Sequence, residues 1–434
     1  MKHQRLKALA GLGLSLSLLA VTACGTDDTA DAGSTPTATS SPSEPEASES
    51  EDMDHSDDGG PIEPTGTGDP FADARTAASH MPTTAAALSG GIIEAAGIKG
   101  SQDSPAAELR AGMTHLLQEH VYLAGIAVAT AYHAGPDSPE FELAAETVDA
   151  NSVEVAAAIG SIVPEEEENF LQSWRSHVGD FVTYAVAAAG NDDAGKQGAV
   201  DNLLAYAKSQ GEFFNRITDG ALPADAVEQE FITHITSLAE AVDAFAAGDA
   251  AGYDKLKEAA EHMPMSAQAL TGGIVEAAGI EGNPNSPASD LRSGMTSMLN
   301  GHQYLAAIAV FTAYTAGADS PEFEAAAATL DANSVDLSEA VGSVAGDENA
   351  ATFLQVWRSH IDDFVGYAVA AAGDDEDGKA KELADLEAYS TNAGAFFEDI
   401  TGGALPGDAV AAELRTHIAT TAGAIDSLRD ALVK

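Results

Sequence analysis

The sequence predicts an all-α protein: two tandem homologous helical-bundle domains that follow a signal peptide and a disordered acidic tether. Three observations carry this reading. Long segments recur at an offset of about 182 residues, a domain-sized repeat. Apolar residues return at helical spacing, as at Leu109, Met113, Leu116 and Leu117. Alanine is abundant and β-branched alternation is lacking.

From the N-terminus, Lys2, Arg5 and Lys7 precede the apolar run Ala8–Ala20. That run is shorter than the roughly 20 residues a spanning helix needs, so residues 1–23 read as a signal peptide. Val21-Thr22-Ala23-Cys24 resembles the bacterial lipobox, which implies cleavage before Cys24, a lipid on its sulfur and acylation (palmitate) of the new terminus. Cys24 is the single cysteine, which excludes an intramolecular disulfide, thiolate metal sites and c-type haem attachment. Residues 24–70 are rich in Ser, Thr, Pro, Gly, Asp and Glu and carry no Lys or Arg. Such a stretch cannot bury enough apolar surface to offset its ordering entropy, so it is expected to be a disordered tether spanning roughly 35–40 Å. The expected location is the extracytoplasmic face of the cell membrane, held to the lipid bilayer through Cys24. The formal charge of −50 argues against nucleic acid as a partner.

The copies cover residues 71–252 and 253–434. SPAAELRAGM at Ser104 matches SPASDLRSGM at Ser286, HVYLAGIAVATAY at His120 matches HQYLAAIAVFTAY at His302, and FLQSWRSH at Phe170 matches FLQVWRSH at Phe353. Gly135-Pro136, Gly190–Gly195, Leu222-Pro223 and Gly248-Asp249 punctuate the helical pattern, and Ser-Pro-Glu puts proline in a first helical turn, where its missing N–H costs nothing.

Eight histidines form four pairs between copies: His80 with His262, His120 with His302, His177 with His360, and His234 with His417. Within a copy they fall on four different predicted helices, the way bundles build metal sites. Met81 and Met263 follow the first pair and Pro82 and Pro264 come next, so each His-Met sits at a helix distortion. Imidazole with thioether suits copper, above all Cu(I). These ten residues are the candidate metal ligands. Each has a bland reading beside it: a buried histidine tied to a carbonyl, a methionine filling core. Trp174 and Trp357 share a helix face with His177 and His360. Asp180, Asp363, Glu230 and Glu413 lie one turn from a histidine, as outer partners or as solvated helix pairs. In the tether, Glu51–Asp57 with Met53 and His55 resembles segments of exported copper proteins.

The first copy has a His-Met-Pro on each side, and the short turn at Gly248-Asp249 favours packing of the next helix on the one with His234. His262 is therefore expected to complete His120, His177 and His234, while His80 crosses to His302, His360 and His417. By this reading the segments 71–98 and 252–280 each pack with the other copy. The simpler alternative keeps each with the copy it precedes.

The pattern His-x-Tyr-Leu-Ala, Asp-Ala-Asn-Ser, Phe-Leu-x-x-Trp-Arg-x-His, Thr-His-Ile and His-Met resembles a helical domain of bacterial exported proteins and lipoproteins, here present twice over residues 71–434. Some members of that family carry a copper amine oxidase label. That activity is not implied here, since its quinone forms from an Asn-Tyr pair that this chain lacks. No hydrolase, zincin or phosphate-loop motif occurs, and neither copy has the two Glu-x-x-His motifs of di-iron carboxylate enzymes, so no catalytic residue is assigned. The expected function is copper buffering or transfer. The alternatives are b-type haem held by paired histidines, or a structural or interaction domain with buried histidines.

Overall fold

Proline and serine set the helix starts. Ser104, Ser138, Ser286 and Ser320 each accept a hydrogen bond from a backbone N–H of the first turn, with proline directly after the cap. In the computed structural model, which describes residues 60–433, this produces an all-α fold with no strand among the described residues. In chain order the helices are α1 (Pro70–Ser79), α2 (Met81–Ala96), α3 (Pro105–Ala134), α4 (Pro139–Gly160), α5 (Glu167–Gly190), α6 (Asp193–Ile217) and α7 (Ala224–Ala247). They continue with α8 (Gly252–Ala278), α9 (Pro287–Ala316), α10 (Pro321–Ala345), α11 (Asp347–Ala372), α12 (Glu376–Ile400) and α13 (Gly407–Leu432). None of them is long and apolar enough to cross a membrane. The signal peptide, Cys24, the Met53–His55 segment and the tether up to residue 59 lie outside the described residues.

The sequence boundary near residue 252 does not coincide with a packing boundary. Helix α8 packs on α3 and α7, whereas α1 packs on α13 and α2 on α9. Met81, Ala85 and Leu88 accordingly share a core with Met295, Leu299, Trp357 and Phe397, all from the second copy. Met263 and Leu270 share one with Met113, Leu117 and Trp174. Small residues permit the close approaches: a side chain at Gly91 would overlap Leu405, and one at Gly273 would overlap Leu222. Two bundles result. Bundle one is α3–α8; bundle two is α9–α13 with α1 and α2. Both belong to one compact unit, Pro61–Lys434.

The bundles meet along α3 and α9 about an approximate two-fold. Ala106 N–H donates to the Glu281 carbonyl (3.0 Å) and, reciprocally, Ala288 N–H to that of Lys99 (3.1 Å). Tyr122 and Tyr304 stack at 5.5 Å, and Thr114 and Ser293 share a hydrogen bond. The proline acts differently in the two copies. Pro264 lies inside an unbroken α8, while before Pro82 the chain turns at His80 (φ −89°, ψ −9°), whose N–H caps Ala78.

The expected tether extends too far. Ile62 is buried against Phe364, Tyr367 and Ile418, and Thr65 N–H donates to the Ala419 carbonyl (2.9 Å). Thr67 and Ser427 donate to the buried carboxylate of Asp73. Ile62 and these hydrogen bonds dock the segment, and Gly423 on α13 leaves a bare backbone for Thr65 and Gly66 to cross.

Candidate metal centres

His120 lies mid-way along α3, where an imidazole faces the axis of bundle one; His177 on α5 and His234 on α7 face it from the neighbouring helices. His302, His360 and His417 repeat this on α9, α11 and α13. In each bundle the ligand nitrogens of the three rings lie within 4.8 Å of one another. Nε2 of His177 stands 3.3 Å from Nε2 of His120, and Nε2 of His360 stands 3.3 Å from that of His302. Two imidazoles bound tetrahedrally to one ion at about 2.0–2.1 Å are themselves about 3.3 Å apart. The six rings are between 1 % and 6 % exposed.

Burial is the largest cause acting on all six, and it disfavours the imidazolium. It pulls His120 down to about 4, His234 and His302 to about 3, and His177, His360 and His417 well below the ordinary range. Mutual repulsion among the rings adds to this at His177, His234, His360 and His417. The rings are thus neutral at pH 7, the form that ligates a metal. Nδ1 of His120, His234 and His302 is buried with no hydrogen-bond partner. The tie to a carbonyl that explains most buried histidines is missing there.

Aromatic rings wall each centre. Trp174 stands edge-on to His177 at 4.7 Å and Trp357 to His360 at 4.7 Å. Tyr206 stacks on His177 at 4.5 Å and Tyr389 on His360 at 4.5 Å. Both phenols are pushed up by burial and stay neutral. Beside the centre of bundle one is a cavity of about 30 Å³, lined among others by His120, His234, Trp174, Met113, Met263 and Glu230. A cavity of that size holds an ion or one or two waters.

Of the eight paired histidines, six converge and two stand outside. His80 is 6.0 Å from His417, ring to ring, and so lies in bundle two and not with the histidines of its own copy. His262 is in bundle one, with Nε2 3.2 Å from Glu230 Oε2. Met263 lines the bundle-one cavity and Met81 is buried in the bundle-two core beside Trp357. The outer carboxylates are placed otherwise than their sequence spacing suggested. Asp180 accepts from Asn202, Asp363 groups with Glu382 and Asp385 at the surface, and Glu413 accepts from Thr84. Tyr206, Tyr389 and Thr421 were missed by the sequence reading. The recurrence of Ala-Tyr before a Phe-Phe pair in both copies, at Tyr206 and Tyr389, was the available signal for two of them.

The fold and site define an all-α protein with a buried three-histidine centre in each of two bundles. Comparison with family models, with curated proteins and with solved structures finds no match to this chain.

Proposed function

We propose that the chain binds one transition-metal ion in each bundle, copper(I) first, and buffers it or hands it on. The observation that carries this reading is the convergence of three neutral imidazoles from three helices, with an Nε2 separation of 3.3 Å that a direct hydrogen bond spans and that two nitrogens on one ion would also show. Imidazole alone suits zinc, copper, iron or nickel. Met113 and Met263 at the same cavity favour the softer ion. The cavity of about 30 Å³ favours an ion over haem b, since a ligand of that size fills a pocket of several hundred Å³, on the order of 300 Å³ or more.

The chain has two tryptophans, one beside each centre, so metal arrival has a built-in reporter. Anaerobic Cu(I) titration of untagged protein should quench both and saturate at one ion per bundle. His177→Ala and His360→Ala should each remove one of the two sites. Excess ion at about a hundred times Kd should stabilise the fold by about 2.7 kcal/mol for each occupied site. Absence of both quenching and thermal stabilisation with Cu(I), Zn(II) and Fe(II) would leave the histidines as core residues and end this reading.

A further inference from the structure

The three-histidine centres are buried, so an ion needs a route in, and in bundle one a carboxylate–imidazole pair stands beside the cavity. Glu230 lies on α7 one turn before His234. Glu230 is among the residues that line the cavity shared with His120 and His234, and its side chain is 35 % exposed, with the carboxylate turned to α8. On the facing helix α8, His262 holds Nε2 3.2 Å from Glu230 Oε2, and Ser266 donates to the same oxygen at 3.1 Å. That imidazole nitrogen has no hydrogen-bond partner of good alignment. Met265, one turn from His262, is 57 % exposed, unusual for a thioether in a molecule with few large apolar side chains at its surface. Carboxylate and imidazole thus meet beside the cavity, with an exposed thioether one helical turn along α8.

We propose that Glu230 and His262, with Met265, form a capture site at the mouth of bundle one, from which the ion passes to His234 and His120. The step is ligand exchange only: a solvated cation gives up water for the carboxylate oxygen and the His262 nitrogen, then these for the inner imidazoles. The carboxylate offsets the positive charge as water is lost, which lowers the barrier to a site walled by apolar rings. Bundle two has the parts without the arrangement. Glu413 accepts from Thr84, the counterpart of Ser266, but Nε2 of His80 is buried without a partner and Thr83 stands where Met265 does.

This inference rests on the metal-binding reading, and the two fail differently. The full chain carrying Trp357→Phe leaves Trp174 as the reporter of bundle one. It is mixed in a stopped-flow cell with Cu(I) held by a weak chromophoric chelator. Glu230→Gln and, separately, His262→Ala should slow the quench by about tenfold or more, with one ion still bound in the bundle at saturation and any loss of affinity much smaller than the loss of rate. Glu230→Gln is nearly isosteric, so it tests the role even where His262→Ala perturbs α8. Unchanged rates in both variants would overturn the capture site and leave the centres intact. Loss of affinity in step with rate would also overturn it, by making these residues part of the centre. A parent protein that takes up no Cu(I) would remove the metal-binding reading and this one with it.

Discussion

The residue one turn on from His234 in bundle one is the buried, apolar Leu238; in bundle two its counterpart beside His417 is Thr421. Thr421 donates to Gln303 Oε1 at 3.1 Å and stands 3.4 Å from Nδ1 of His417. With its one proton given to Gln303, the hydroxyl accepts from Nδ1–H and so turns the lone pair of Nε2 toward the centre. His234 lacks such a partner. The mouths differ in the opposite sense, with the carboxylate–imidazole pair present only in bundle one. The inner rings hardly differ: 5.3 Å separates His120 from His177 and also His302 from His360. What this teaches is a division of change. The three-ring core is fixed by helix packing common to both bundles, while the polar groups that orient it or lead to it are free to diverge.

If the inner centres are equivalent, acid should act on both at once, and this is the largest effect expected. In the metal-free chain the unfolded imidazoles titrate near 6.5 and the folded ones lower, at about 4 for His120 and about 3 for His234 and His302. The unfolded state therefore binds more protons between these values, so stability rises with pH across the window and is lost as pH falls below about 6.5. For His120 alone the full loss, reached below about pH 4, is about 3 kcal/mol. Urea melts of metal-stripped Trp174-only and Trp357-only proteins, taken from pH 7 to pH 4, should fall in parallel. Flat stability across that range would contradict the buried neutral rings; two clearly different acid midpoints would break the equivalence.

The helices and the three-ring sets were legible because the signals for them are local. Ser-Pro caps mark helix starts, and Leu109, Met113, Leu116 and Leu117 give one face of α3 directly. Histidines repeated on corresponding helices must meet if corresponding faces pack inward. What was not legible depends on which helix lies beside which. Spacing makes Glu230 a partner for His234, one turn away on its own helix, yet its carboxylate turns to His262 and Ser266 on α8. Spacing does the same for Asp180, which pairs with Asn202. Ile62 is hidden in a polar stretch, since nothing local says that Phe364, Tyr367 and Ile418 offer it a seat. His115, with no counterpart in the second copy, gained meaning only beside Glu119, whose partners come from three other helices.

That buried carboxylate is the next contrast. Glu119 accepts from Arg75 (3.1 Å), Asn151 (2.8 Å) and Tyr304 (2.7 Å), joining α1, α4 and α9 to α3. Its counterpart in α9 is Gly301, and there the cation Lys257 turns instead to Glu261 and Asp336, both substantially exposed. Glu119→Ala strands the Tyr304 hydroxyl, leaves Asn151 with only the Leu116 carbonyl and Arg75 with only Glu154, so it should cost about 3–5 kcal/mol in urea unfolding. Lys257→Ala, which breaks a pair open to water, should cost about 1 kcal/mol or less. Equal costs would mean that the two-fold hides no such difference in the energetics.

The smallest effect concerns Thr421, and it bears on which bundle would hold an ion longer under the proposed function. A hydrogen bond to the far nitrogen of a ligating histidine fixes its tautomer and raises its basicity, and losing one costs about 10- to 100-fold in metal affinity. At 3.4 Å the bond to His417 Nδ1 is long, so the lower end, about tenfold, is the expectation for Thr421→Leu. The substitution copies Leu238, so the packing it asks for already exists in bundle one. Gln303 also loses its partner, which argues for a second variant, Thr421→Val with Gln303→Val, matching the Val121 that stands at that place in the first copy. Competition titration of Cu(I), read at Trp357 in a Trp174→Phe background, measures the change. Affinity at bundle two should fall toward that of bundle one and no further, with one ion still bound. An unchanged affinity would show that helix packing alone orients His417, as it must orient His234, and the two centres would then be equal in hold as well as in form.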